Sequence, residues 1–527
     1  MSRSKRFANS LVSGYVLLVA NIIYTLVQGR MLLQFIHDNN EVGLWALAIQ
    51  VAGYFLLLDI GMSGSISRIL IDHKNKDKSS DYGSTIKTGF VVLLIQGAMI
   101  AIGGAIASHW LPEMTIASPT GQLGVTERVP ISPEQMGLFR SLVMWQCILI
   151  GVSFATRMFG FILEAHQRQD ISNHAQSVGF AVNLFVLWWG FRNNLGLYSL
   201  LWSNVASTIL TTGWSLVSVW RLHLFPTANR WGQVSREKFR ELFGYATDIF
   251  LLAIGNMLIT ASQVVVVTYS MGAGAAAIWS FTTKTFGMAN QFIGRIYNYS
   301  SPAFAEMTVR GETARLRERF RDVATLSASS GVLITMCVAA CNYSFLRIWT
   351  GSDRMSWSIT NDLLMALYIF SFNTTRCHVG LVCISKDLRA MKFVYVVEGI
   401  AFIGLAAMLG HWIGFPGIIL AGIVTNLSFS GFYGMHRSAN ILGLPLKEII
   451  FGWLSFPMRF LLVMVTISVA CHYLTQSLPI FWQLCSNAVA VGALGALSFW
   501  KFGLPKNLQV EFGGRLNKLR SRFQSEA

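Results

Sequence analysis

The apolar positions of this chain arrive in runs of roughly 20 or more residues, the length that spans ~30 Å of hydrocarbon at 1.5 Å per residue. The runs recur from the first residues almost to the last, with short polar connections between them. They predict about fourteen transmembrane helices, over 9–36, 44–69, 86–109, 137–164, 173–190, 197–220, 245–270, 274–300, 323–347, 358–384, 391–410, 414–435, 449–470 and 478–500. The expected fold class is an all-α polytopic membrane protein. A basic leader of Arg3, Lys5 and Arg6 precedes the first run, which shows no small-residue cleavage site, so it reads as a retained span with a cytoplasmic N-terminus.

Composition agrees: 53% hydrophobic and 13% charged side chains over 527 residues leave too little polar surface to close a water-soluble globule. Seven cysteines are scattered over apolar segments without a C-x-x-C, which predicts packing residues and neither metal nor redox chemistry. The net charge of +16 suggests nucleic acid until its distribution is read. Loops on one expected side hold Lys74, Lys76, Lys78, Arg236, Lys238, Arg240, Arg315, Arg317, Arg319, Arg321, Lys386 and Arg389, and the tail adds Lys506, Arg515, Lys518, Arg520 and Arg522. The opposite loops hold only Arg128, Arg192 and Arg354. Such asymmetry is the positive-inside signature. It places both termini in the cytoplasm of a bacterial inner membrane and makes anionic lipid, not nucleic acid, the partner of the charge. No phosphate-binding loop of the form G-x-x-x-x-G-K-[ST] occurs, so no nucleotide cofactor is expected.

The first span contains Asn21, Thr25 and Gln28; Asn256, Thr260 and Gln263 repeat the N-x-x-x-T-x-x-Q spacing 235 positions later. Both copies start on the same expected side. They predict two six-helix lobes related as parallel repeats, 1–226 and 227–440, followed by two appended helices and a basic tail over 441–527.

Two stretches carry a resemblance. Ser301-Pro302-Ala303-Phe304-Ala305-Glu306-Met307, then Gly311-Glu312 and Arg315-Leu316-Arg317-Glu318-Arg319-Phe320-Arg321, is similar to the segment after the eighth span of polysaccharide flippases in the multidrug/oligosaccharidyl-lipid/polysaccharide exporter superfamily. Val42-Gly43-Leu44-Trp45-Ala46-Leu47, with Tyr54-Phe55-Leu56-Leu57-Leu58-Asp59-Ile60-Gly61, resembles their second-span entrance. The resemblance implies six-helix lobes around a central cavity that opens alternately to each side.

A charged residue at mid-bilayer costs roughly 2.5–3.5 kcal/mol, so each needs a reason. Lys284, Gln291, Arg295 and Asn298, at intervals of 7, 4 and 3, form one polar face on the eighth span, with Gly287 and Gly294 beside it. Two readings are open. The cations can hold a diphosphate, Arg forking two oxygens while Lys supplies a point charge, or they can pair with Asp59 or Asp248. Arg157 and Arg376 can extend the basic wall; Arg30 can join it or snorkel to the headgroups. Asp59 is the candidate gating or ion-coupling carboxylate, with Asp248 beside it, for coupling to Na+, H+ or the membrane potential. Asn21, Gln28, Asn256 and Gln263 can read sugar hydroxyls or simply bridge helices.

The expected function is a flippase that moves a polyprenyl-diphosphate-linked oligosaccharide to the outer leaflet by alternating access, with glycan-assembly enzymes as possible partners. A drug/cation antiporter of the same superfamily should prefer acidic residues at mid-depth. A polysaccharide polymerase or ligase should carry a large external loop, whereas the longest here is about 26 residues.

Overall fold

The structure, a computed structural model, describes residues 3–59, 62–73, 80–116, 131–355, 357–385, 388 and 390–510. Ile60, Gly61, Lys74, Lys76, Lys78, Arg128, Lys386, Arg389, Arg515, Lys518, Arg520 and Arg522 lie outside the described residues, as do the side chains of Asp248 and Pro302. Among the described residues the chain is helical throughout, with no strand.

It forms two compact units. Met1–Ala277 contains α1 (Arg3–Phe35), α2 (Asn39–Tyr54), α3 (Met62–His73), α4 (Asp81–Ile116), α5 (Pro133–Ala165), α6 (Gln169–Arg192), α7 (Tyr198–Arg221), α8 (Arg236–Thr260), α9 (Ser262–Met271) and the start of α10 (Ala273–Val309). Ile278–Ala527 contains the rest of α10, then α11 (Thr313–Thr350), α12 (Ile359–Ile384), α13 (Met391–Ile413), α14 (Phe415–Asn426), α15 (Phe432–Leu442), α16 (Ser455–Thr475) and α17 (Ile480–Ser498). The first unit ends beyond residue 226 because α8 and α9 pack on α2, α3 and α4. The segment 441–527 shares the second unit with α11–α15.

Among the described residues seventeen helices make fourteen passes, because three passes are each built from two helices: α2 with α3, α8 with α9, and α14 with α15. Two of these breaks have visible causes. Between α2 and α3 the chain tightens into a 3₁₀ turn, Phe55–Asp59. The Asp59 carboxylate there accepts from Ser63 Oγ at 2.6 Å and Ser63 N at 3.3 Å, capping the new helix, while Gln96 of α4 donates to the Leu58 and Asp59 carbonyls. Between α14 and α15 a π-helical bulge, Leu427–Gly431, loosens the ladder. Glu398 of α13, fully buried, accepts from the Ser430 backbone N–H at 3.0 Å.

Close approach is bought with glycine where α4 crosses α5: a Cβ on Gly97 would overlap the Gly151 carbonyl, and one on Gly151 would overlap that of Gly97. In the second unit, Ser344 donates to Gln483 at 2.9 Å, Asn487 donates to the Ala340 carbonyl at 3.0 Å and Ser329 donates to the Gly503 carbonyl at 2.6 Å, fastening the last pass to α11. The 301–321 stretch is structural in its apolar part. Phe304, Leu316 and Phe320 pack with Leu442 and Trp453 in one buried cluster, and Arg317 donates to the Leu442 carbonyl at 2.7 Å, satisfying the end of α15.

Ten of the fourteen passes are long and apolar enough to cross a membrane by length and composition alone. The four that fall short are α6, α7, α10 and α12. These four carry much of the polar surface described next, together with residues of α1, α5 and α11.

Candidate functional site

In Ile278–Ala527 the polar face of α10 stays open. Gly287, Gln291, Arg295 and Asn298 are exposed along one stripe, and Lys284, half-buried, heads it with its Nζ 5.6 Å from the centre of the Phe281 ring. Phe292 and Tyr299, also exposed, flank the stripe. Arg376 of α12, exposed among buried neighbours, reaches across to the same helix: a Cβ on Gly294 would meet its Nη1 at 3.1 Å. Gly294 thus leaves room for a second guanidinium against α10, one chain position from Arg295. Behind the stripe α10 is held by neutral contacts, Asn373 to Asn290 at 2.8 Å and Thr285 to Asn342 at 2.7 Å.

Asn342 belongs to a buried network that the sequence reading missed. Its amide donates to Asp362 Oδ1 at 2.6 Å, and the Trp357 indole donates to the same oxygen at 2.7 Å. Asp362 is fully buried, and its Oδ2 accepts no hydrogen bond from the described residues.

In Met1–Ala277 two adjoining cavities of about 370 and 390 Å³ share Ser153, Gln176, Thr208 and Thr211. Arg157 lines the first, stacked over Phe154 with its guanidinium carbon 4.0 Å from the ring centre, and feels the attraction of Asp59. Glu164 lines the same cavity. The second is walled by amides and aromatics. Gln28 donates to Tyr24 Oη at 2.8 Å, Tyr24 donates to Asn183 Oδ1 at 3.2 Å, and Asn183 donates to Asn204 Oδ1 at 3.0 Å. Tyr24 also stacks on Phe180 with ring centres 4.6 Å apart.

The structure therefore brings Arg376 against the helix that carries Lys284, Gln291, Arg295 and Asn298, and puts Arg157 in a cavity that adjoins the one lined by Tyr24, while Gln28 lines neither and reaches the second only through its bond to Tyr24. Arg30 is exposed near the end of α1, and neither it nor Asn21 lines the cavities. Asn256 is exposed and Gln263 half-buried, on either side of the interruption at Ala261, so the second triplet straddles two helices whereas the first lies on a continuous one. Asp59 serves as a cap in the α2–α3 break. The cavity hydroxyls had a signal in the sequence: Thr208, Thr211, Thr212 and Ser215 follow the i, i+3, i+4, i+7 spacing of one helical face.

A family model described as polysaccharide biosynthesis protein matches residues 8–308, more than half of the chain. The chain belongs to that family. Members of the polysaccharide biosynthesis family thus include this fourteen-pass fold, whose solved neighbours are flippases and transporters, not enzymes. The structure is similar to the lipid II flippase MurJ in an inward closed conformation, with a TM-score of 0.66 and 11% identity over 93% of this chain and 98% of that one. It is also similar to an inward-facing multidrug resistance MATE transporter, with a TM-score of 0.62 and 12% identity over 79% and 94% of the two chains. A third likeness is to a transporter of the same superfamily from Pyrococcus furiosus, at a TM-score of 0.54 and 14% identity over 83% and 96%. No curated protein matches by sequence.

Proposed function

We propose that this protein is a flippase that moves a polyprenyl-diphosphate-linked oligosaccharide from the cytoplasmic to the outer leaflet of a bacterial inner membrane by alternating access. The observation that carries the reading is the open basic stripe of Lys284, Arg295 and Arg376. Arg295 and Arg376 are exposed and Lys284 is half-buried, on two helices that are too polar to be explained by lipid alone. A diphosphate offers the oxygens that two guanidiniums and one ammonium can bind, each charge-assisted contact contributing about 1.5–3 kcal/mol. Gln291 and Asn298 would add neutral donors beside them. The family supports a place in polysaccharide biosynthesis.

The return step needs a driving force, a Na+ or H+ gradient or the membrane potential, which is worth about 2.3 kcal/mol per charge per 100 mV. Both termini lie on the cytoplasmic side in this reading, where Arg236, Lys238 and Arg315 meet anionic lipid and glycan-assembly enzymes can dock. Cells lacking the gene should accumulate lipid-linked glycan in the cytoplasmic leaflet, measured by leaflet-selective labelling. If none accumulates, the flippase reading fails.

A further inference from the structure

The paired cavities of Met1–Ala277 differ chemically from a phosphate site. Their lining holds one cation, Arg157, and one anion, Glu164; the rest is hydroxyl, amide, aromatic and aliphatic. The hydroxyl protons are largely committed. Ser153 donates to the Ile150 carbonyl at 2.7 Å, Thr156 to Ser153 at 2.8 Å, Thr211 to Ser207 at 2.9 Å and Ser215 to Thr211 at 2.8 Å. Each hydroxyl then turns lone pairs toward the cavity. Gln146, in the wall of the second cavity, has a buried Oε1 that accepts no hydrogen bond from the described residues.

Such a wall accepts hydrogen bonds more readily than it donates them. A diphosphate, itself almost entirely an acceptor, is a poor match; a polyol is a good one, because every hydroxyl brings a proton. Each cavity falls within the ~300–1,000 Å³ range of small-molecule sites, and the stacked Tyr24–Phe180 pair gives the second an apolar side for the C–H face of a ring. From Gln146 to Glu164 the polar wall of α5 extends about 27 Å at 1.5 Å per residue, enough for several sugar units.

We infer that these cavities form a saccharide subsite that reads hydroxyl and amide donors, apart from the basic stripe on α10 and α12 that takes the phosphates. The assignment rests on the flippase reading for its cargo but can fail separately.

The test uses the full-length protein in nanodiscs of phosphatidylethanolamine and phosphatidylglycerol, with N-acetylglucosamine and inorganic pyrophosphate as probes. Saturation-transfer NMR reads the sugar and calorimetry reads pyrophosphate. Thr208→Val combined with Gln146→Leu should weaken sugar binding at least tenfold and leave pyrophosphate binding unchanged, while Thr208→Ser, which restores the hydroxyl, should retain the sugar. Sugar binding that is undetectable in the wild type, or equal in wild type and the double variant, overturns the subsite. So does loss of pyrophosphate binding in that variant. The stripe is judged separately: if Lys284→Ala with Arg295→Ala leaves pyrophosphate binding intact, the phosphate assignment falls whatever the sugar result.

Discussion

The two compact units place polar groups among membrane-spanning helices by different means. In Met1–Ala277 the cavity hydroxyls are neutral and several are tied to their own helix, as when Thr211 donates to the Ser207 carbonyl four residues back. In Ile278–Ala527 the corresponding feature is formally charged, and Lys284, Arg295 and Arg376 stand on an open face without a carboxylate within ion-pair distance among the described residues. A neutral hydroxyl bonded to its own backbone costs the membrane little, whereas an unpaired cation costs roughly 2.5–3.5 kcal/mol at mid-depth. Neutral walls can therefore be extensive, while charges must be few and placed where a ligand or water compensates them.

The comparison breaks first at the charges. Lys284→Ala with Arg295→Ala removes two contacts worth about 3–6 kcal/mol together, so surface glycan should fall at least a hundredfold at unchanged protein level. Wild-type glycan from that variant would show that the cations do not bind cargo. Next comes the α4–α5 crossing that backs the neutral unit. Gly151→Leu drives a side chain into the Gly97 backbone and should cost about 1–3 kcal/mol, or prevent insertion, read as a drop in thermal unfolding temperature. The same substitution at Gly287, whose Cβ would meet nothing within 4 Å, should leave the melting temperature near wild type.

A third outcome separates stability from transport in the charged unit. Asn342→Leu takes one donor from buried Asp362 and should cost about 1–3 kcal/mol by thermal unfolding; adding Asp362→Asn should recover part of this, since no buried charge then remains. No recovery would mean that the network matters through packing. The smallest effect belongs to the neutral side. Asn204→Leu removes the hydrogen bond from Asn183 and should cost only about 0.6 kcal/mol, the average for a membrane hydrogen bond, read by thermal unfolding.

The passes were legible because a bilayer demands a fixed length of apolar helix, and run length is a local property of the chain. The α10 stripe was legible too, since residues 284, 291, 295 and 298 share a face of any α-helix. The breaks were harder to see. Asp59 reads along the chain as an isolated intramembrane acid, and only the folded chain shows it capping α3; Glu398 likewise gains its partner from a π-bulge more than thirty residues away.

By itself, then, the sequence determined the fourteen passes, the polar face from Lys284 to Asn298 and the family, because these depend on spacing within one segment. Tertiary structure alone decided that Arg376 reaches α10 at Gly294, that α5, α6 and α7 enclose a hydroxyl-lined cavity, and that Asp362 is buried beneath Asn342 and Trp357. Each of those depends on which faces of separate helices meet. Membrane helices meet through packing and hydrogen bonds, with no hydrophobic effect between them, and that choice leaves little trace in any single span.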